Sequence, residues 1–205
     1  MSFLNYDSAF MQGLRRLYDY VVLGLLWAVV SLPIFTFGGA TVAALYTAEN
    51  AIEKHGGHIA TTFFKRFRAE FLQASLLWLF AIVLIAMLVF DVRLLWNSGV
   101  AVGIQVLSFT VIYVMFCWIH LWFGYLCKFT EKTTKLMYNT FCMVFQNISL
   151  SMLLGIITLV TVVFYVVFLL RMPPLLLIIP GAYLMAQSSV LRKITSKYIN
   201  QQESR

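Results

Sequence analysis

The chain has 205 residues, of which 61% are apolar and only 11% charged, and its mean hydropathy is +0.87. So little polar surface excludes a water-soluble globular protein and predicts one all-α integral membrane domain over residues 1–205. The net charge of +7 comes from basic residues flanking apolar runs, a pattern the positive-inside rule explains without nucleic acid.

In chain order, the first twenty residues mix Asp7, Arg15, Arg16 and Asp19 with apolar side chains, and no cleavable signal peptide is expected there. Phe10, Leu14, Leu17 and Val21 form one apolar stripe, which predicts an amphipathic helix leading into the membrane. The stretch "SLPIFTFGGATVAALY" (Ser31–Tyr46) then puts Pro33 and Gly38-Gly39 inside the first apolar run. Pro33 removes a backbone donor and glycine tolerates a reversal, so a broken helical hairpin is predicted over 14–52, with arms near 14–32 and 39–52. A single kinked span is the competing reading. Residues 20–48 would then measure about 43 Å, well beyond a hydrocarbon core of about 30 Å. The hairpin puts the N-terminus inside and leaves thirteen basic residues inside against two outside; one crossing gives eleven against four. An apex short of the outer surface is expected, because the second arm soon reaches Glu49 and Asn50.

In "IATTFFKRFRAEFLQASLL" (59–77), Phe63, Phe67 and Phe71 recur every four residues, with Lys65, Arg66, Arg68 and Glu70 between them. This predicts an interfacial amphipathic helix over 59–72, capped by Thr61 or Thr62. Its Phe63, Phe64, Lys65, Arg66, Phe67, Arg68 and Phe71 would offer a docking surface to lipid or a partner protein. Membrane spans follow near 72–90, 101–126, 148–170 and 173–191, giving five to six transmembrane helices in all. Arg171 and Pro173-Pro174 predict a tight connection between the last two. Trp96, Trp118 and Trp122 are expected in interfacial belts. Basic content places 49–71, 127–147 and the C-terminal tail in the cytoplasm. Residues 136–151 echo the 59–77 stretch, with Phe141, Phe145, Asn147, Ser149 and Leu150 aligned to Phe67, Phe71, Gln73, Ser75 and Leu76. Either an in-plane helix before a span is repeated or the likeness is chance.

Catalytic chemistry is hard to find. Cys117, Cys127 and Cys142 fit no disulfide or zinc spacing and read as small apolar residues. His55 and His58 in "HGGH" lack a third ligand, so no metal is expected. His120 stands inside a predicted span and is the one intramembrane candidate; a hydrogen bond to a neighbour is its bland reading. Gln105, Asn147 and Gln187 read as interhelical hydrogen-bonding groups. Deep carboxylate pairs, phosphate-binding glycine loops and redox cysteine motifs are absent from the sequence, so neither enzyme activity nor a cofactor is expected.

Ser31, Leu32, Pro33, Ile34, Thr36, Gly38, Thr41, Ala44, Leu45 and Tyr46, followed by Phe63, Phe64, Phe67, Arg68 and Phe71, resemble the paired motifs of the YesL family. This is a bacterial membrane family catalogued as domain of unknown function 624. Ala69-Glu70 departs from its usual polar pair. The resemblance implies a multi-pass protein of the bacterial cytoplasmic membrane that accompanies carbohydrate ABC-type uptake. The expected function is a non-catalytic accessory or regulatory component, partnered by an ABC permease or ATPase or a sensor kinase. The alternative is a stand-alone small-molecule transporter or ligand-binding membrane protein, with sugars as the first ligands to try. An enzyme working through His120 is the remaining reading. Both termini are expected in the cytoplasm.

Overall fold

A computed structural model describes residues 9–53, 58–97, 102–129, 132–171 and 179–203. Among them every regular element is helical: α1 (Ala9–Val30), α2 (Phe37–Thr47), α3 (Ile59–Asn97), α4 (Val102–Lys128), α5 (Thr133–Gln146), α6 (Ile148–Arg171) and α7 (Ile179–Glu203). A 3-10 turn, Ile34–Thr36, leads into α2, and a π-helical turn, Ala48–Glu53, extends it. Helices α3 and α4 are each long and apolar enough to cross a membrane. The bent pair α5–α6 makes a third candidate.

The centre of the fold is α2. Its Gly38 through Leu45 are buried without a break, so all sides of this small-residue helix are covered by protein. Small residues let neighbouring backbones close in, which substitutes for the hydrophobic drive that lipid does not supply between helices. The most extensive packing is between α2 and α3, which run antiparallel: Gly38 meets Ala74 and Trp78, whereas Tyr46 meets Arg66. Helices α1 and α7 cross through a second glycine contact. A Cβ on Gly24 would sit 2.7 Å from the Gly181 nitrogen, and one on Gly181 would sit 2.5 Å from the Tyr20 carbonyl oxygen.

Several expectations change in three dimensions. The segment 59–72 is not a separate in-plane helix. It continues into the predicted 72–90 span as one helix of 39 residues, since no glycine or proline interrupts that stretch. The helix begins at Ile59, so Thr61 and Thr62 lie in its first turn instead of capping it; the Thr61 hydroxyl donates to the His58 carbonyl at 3.0 Å. The element that turns sharply is α5, which meets α6 at 100° around Asn147. Where α6 crosses a bilayer, α5 therefore lies nearly in its plane. Its Leu136, Thr140, Met143 and Val144 face the core, while Phe141 and Phe145 are exposed.

Trp118 and Trp122, expected in an interfacial belt, pack inside instead. Trp122 is fully buried, and the Trp118 indole donates to the Thr140 hydroxyl at 3.1 Å. Trp96 is exposed near the end of α3. Cys117 and Cys127 are buried and Cys142 half-buried, and none of the three is in a disulfide. His55, the 98–101 part of the loop before α4, and the Pro173-Pro174 connection lie outside the described residues.

Candidate functional site

The break after α1 follows from Pro33. It takes an extended conformation (φ −73°, ψ 124°) and has no N–H to give to the preceding turn. Carbonyls released there find new donors. The Thr36 hydroxyl lies 2.5 Å from the Val30 oxygen and 2.7 Å from the Pro33 oxygen, and the Trp78 indole donates to the Ile34 oxygen at 2.8 Å. Backbone groups left unpaired are costly in an apolar setting, so Thr36 and Trp78 close the apex. The reversal thus occupies residues 31–36, ahead of the glycine pair. Gly38 and Gly39 lie within α2 and serve close packing, not the turn: a Cβ on Gly38 would overlap the Ala74 carbonyl and lie 2.8 Å from the Trp78 Cβ. One on Gly39 would lie 3.1 Å from the Phe67 ring.

The depth of the apex can be read from Trp78, which stands nineteen residues from either end of α3. At about 1.5 Å per residue the hairpin tip therefore reaches only the middle of a helix about 58 Å long. Beyond that level the α3 side chains Met87, Phe90 and Leu94, and Val102, Val106 and Leu107 of α4, are exposed apolar surface suited to lipid.

The aromatic stripe of 63–71 faces the opposite way from the docking surface expected of it. Phe63 is fully buried, Phe67 and Phe71 are half-buried against α2, and Phe63, Phe67 and Phe71 form a chain of ring contacts. Arg66 also points inward. It pairs with Glu70 at 3.2 Å, donates to the Leu126 and Cys127 carbonyls at 2.9 and 3.3 Å, and lies 4.8 Å over the Tyr46 ring. A guanidinium at the C-terminus of α4 also meets the negative end of that helix. Lys128 and Glu49 form a second tie at 3.1 Å. Only Phe64, Lys65 and Arg68 of the stripe are exposed. The two sequence motifs are therefore the two sides of one interface.

Beneath the apex lies a cavity of about 580 Å³, walled by parts of α1, α2, α3, α4, α6 and α7. This is within the range of small-molecule sites. Its walls are largely aromatic, with Trp27, Phe37, Trp78, Phe116 and Phe123 contributing rings, and no charged side chain lines it. A few polar groups converge there. The Trp27 indole donates to Thr41 at 3.1 Å; the Ser31 hydroxyl is buried without a hydrogen-bond partner; Thr158 and Tyr183 hydroxyls lie 3.4 Å apart. His120 lines the cavity in a T-shaped contact with Phe116, with Nδ1 3.5 Å from the Gln187 amide nitrogen. Gln187 is itself only 1% exposed, and its side-chain oxygen makes no well-formed hydrogen bond.

Ser31, Thr41, His120 and Gln187 were each legible as polar residues in apolar sequence, yet only the fold gathers them. Trp27, Thr158 and Tyr183 escaped sequence reasoning. Their signal was the same, a hydrogen-bonding group within a span. His58, left from the "HGGH" pair, is exposed, and among the described residues no three His, Cys, Asp or Glu side chains cluster. No curated protein and no solved structure matches this chain. The family model described as protein of unknown function, DUF624, matches residues 20–92, from within α1 through most of α3, a match over the hairpin and its α3 partner that is consistent with a DUF624, YesL-like assignment.

Proposed function

We propose that this chain is a non-catalytic, multi-pass membrane protein that holds a small molecule in the cavity beneath the hairpin apex. The observation that carries the reading is an aromatic-walled space of about 580 Å³ next to a broken helix, with the buried Ser31 hydroxyl left unpaired on its wall. Broken membrane helices are tolerated where they line a cavity, and many transporters bind ligands at such breaks. In this reading α1 and α2 form a re-entrant pair in place of two full crossings, and α3, α4, α6 and α7 cross. That arrangement keeps both termini in the cytoplasm of a bacterial cell. A sugar is a poor occupant, since most of its hydroxyls would face aromatic carbon without partners.

The test is thermal unfolding of the detergent-purified protein against a panel of apolar compounds and sugars. A binder at one hundred times its Kd stabilises by about 2.7 kcal/mol and raises the midpoint by several degrees. Ala28→Phe, which fills the cavity from α1, should fold but show no ligand-dependent rise. A flat response across the apolar panel, or an unchanged one in Ala28→Phe, would sink the reading.

A second reading, an accessory component of carbohydrate ABC-type uptake, is favoured by the outward-facing Phe64, Lys65 and Arg68 on α3. Glutamate at both Lys65 and Arg68 should then abolish co-purification of a transporter permease, ATPase or sensor kinase from the native host. Undiminished capture would remove that role for this surface.

A further inference from the structure

We propose that the molecule held beneath the apex is a neutral, ring-bearing apolar compound anchored through a carbonyl oxygen, which accepts a hydrogen bond from His120 Nε2. The inference rests on the cavity being a ligand site and adds the chemistry of what fills it.

Charge is the first constraint. With no acidic or basic side chain on its walls, the cavity offers an ion nothing to offset its desolvation. Shape is the second. Trp27, Phe37, Trp78, Phe116 and Phe123 present rings from four helices, and flat ligands gain offset or edge contacts with such walls that a flexible chain does not.

The third constraint is the direction of the hydrogen bond. The Gln187 amide nitrogen stands 3.5 Å from His120 Nδ1. With the amide nitrogen on that side, Nδ1 accepts, and we assign the proton of a neutral imidazole to Nε2. That nitrogen has no partner among the described residues, while its ring lies on the cavity wall. Gln187 is thus a positioning residue: it sets the tautomer from behind the wall and leaves a donor facing the ligand. A donor in an apolar cavity selects an acceptor, and a carbonyl supplies one without adding an O–H that would itself need a partner.

The probes are 2-acetylnaphthalene and 2-ethylnaphthalene, near-isosteres that differ by a carbonyl in place of a methylene. Each is dialysed to equilibrium against the full chain in lipid nanodiscs, with empty nanodiscs as the reference for partitioning into lipid. Wild type should show a saturable excess of one equivalent of either probe, with the ketone bound about tenfold more tightly, the worth of one added hydrogen bond. His120→Phe should bind both alike, by losing the donor. Gln187→Leu should lose most of the preference, by freeing the tautomer. If both probes bind wild type equally, the carbonyl assignment is overturned while the ligand site stands. If neither gives a saturable excess, the ligand-site reading fails for this chemistry and takes the inference with it. The wild-type comparison decides between these outcomes even where a variant fails to fold.

Discussion

Replacing Gly38 with alanine is expected to unseat the hairpin from α3 and to cause a large loss of folded protein. The new Cβ would overlap the Ala74 carbonyl oxygen, which is backbone, and would sit 2.8 Å from the Trp78 Cβ, which is held by its own helix. Neither neighbour can swing aside. Overpacking of this kind costs about 1–3 kcal/mol and exceeds that where only backbone can yield. The damage should extend to the Trp78–Ile34 hydrogen bond, because α3 must move away from the apex it closes. The measurement is the fraction of detergent-extracted protein that elutes as a monodisperse species, together with its unfolding midpoint. Gly13→Ala is the matched control. Nothing lies within 4 Å of that position, so the better helix propensity of alanine should stabilise by about 0.5–1 kcal/mol. Equal effects at Gly13 and Gly38 would refute the close-packing role.

Arg66→Ala should produce the second large effect. The side chain joins three elements: Glu70 on its own helix, the terminal carbonyls of α4, and the Tyr46 ring of α2. Its side chain and that of Glu70 are 16% and 9% exposed, so the pair is screened only slightly by water. Removing one partner of a buried pair typically costs about 3–5 kcal/mol, because the other charge is left without compensation. A value near the lower end is expected here, as residual exposure lets water reach Glu70. Lys65→Ala and Arg68→Ala, one residue before and two after on the exposed side, should change the unfolding midpoint little, within about 0.5 kcal/mol. If Arg66→Ala behaves like Lys65→Ala, the inward network does not hold α4 to the hairpin.

These two positions also show how far the sequence could be read. A period-four stripe of Phe63, Phe67 and Phe71 with basic residues between is amphipathic on any helical wheel. The pattern therefore located a face correctly, but assigned it to lipid or a partner when α2 of the same chain covers it. The same limit applies to Trp122, a plausible interfacial residue by its place in the run and a fully buried one in the fold. Gly38-Gly39 carried the opposite ambiguity. Glycine beside a proline break reads as a turn, whereas here both glycines are helical and their missing side chains admit α3.

Sequence alone determined the all-helical, membrane-suited character of the chain, because composition fixes how much apolar surface water would have to cover. It also determined the break at Pro33, since a missing N–H acts on its own turn regardless of what surrounds it. The paired motifs inside the family-model match over residues 20–92 were legible for the same local reason. Tertiary structure alone decided that the apex stops beside Trp78, that the Phe–Arg stripe turns inward, and that Ser31, Thr41, His120 and Tyr183 meet around one cavity. The physical reason is that lipid and a packed helix reward the same apolar side chains. Periodicity can reveal which face is apolar, but only contacts between segments far apart in the chain reveal what lies against it.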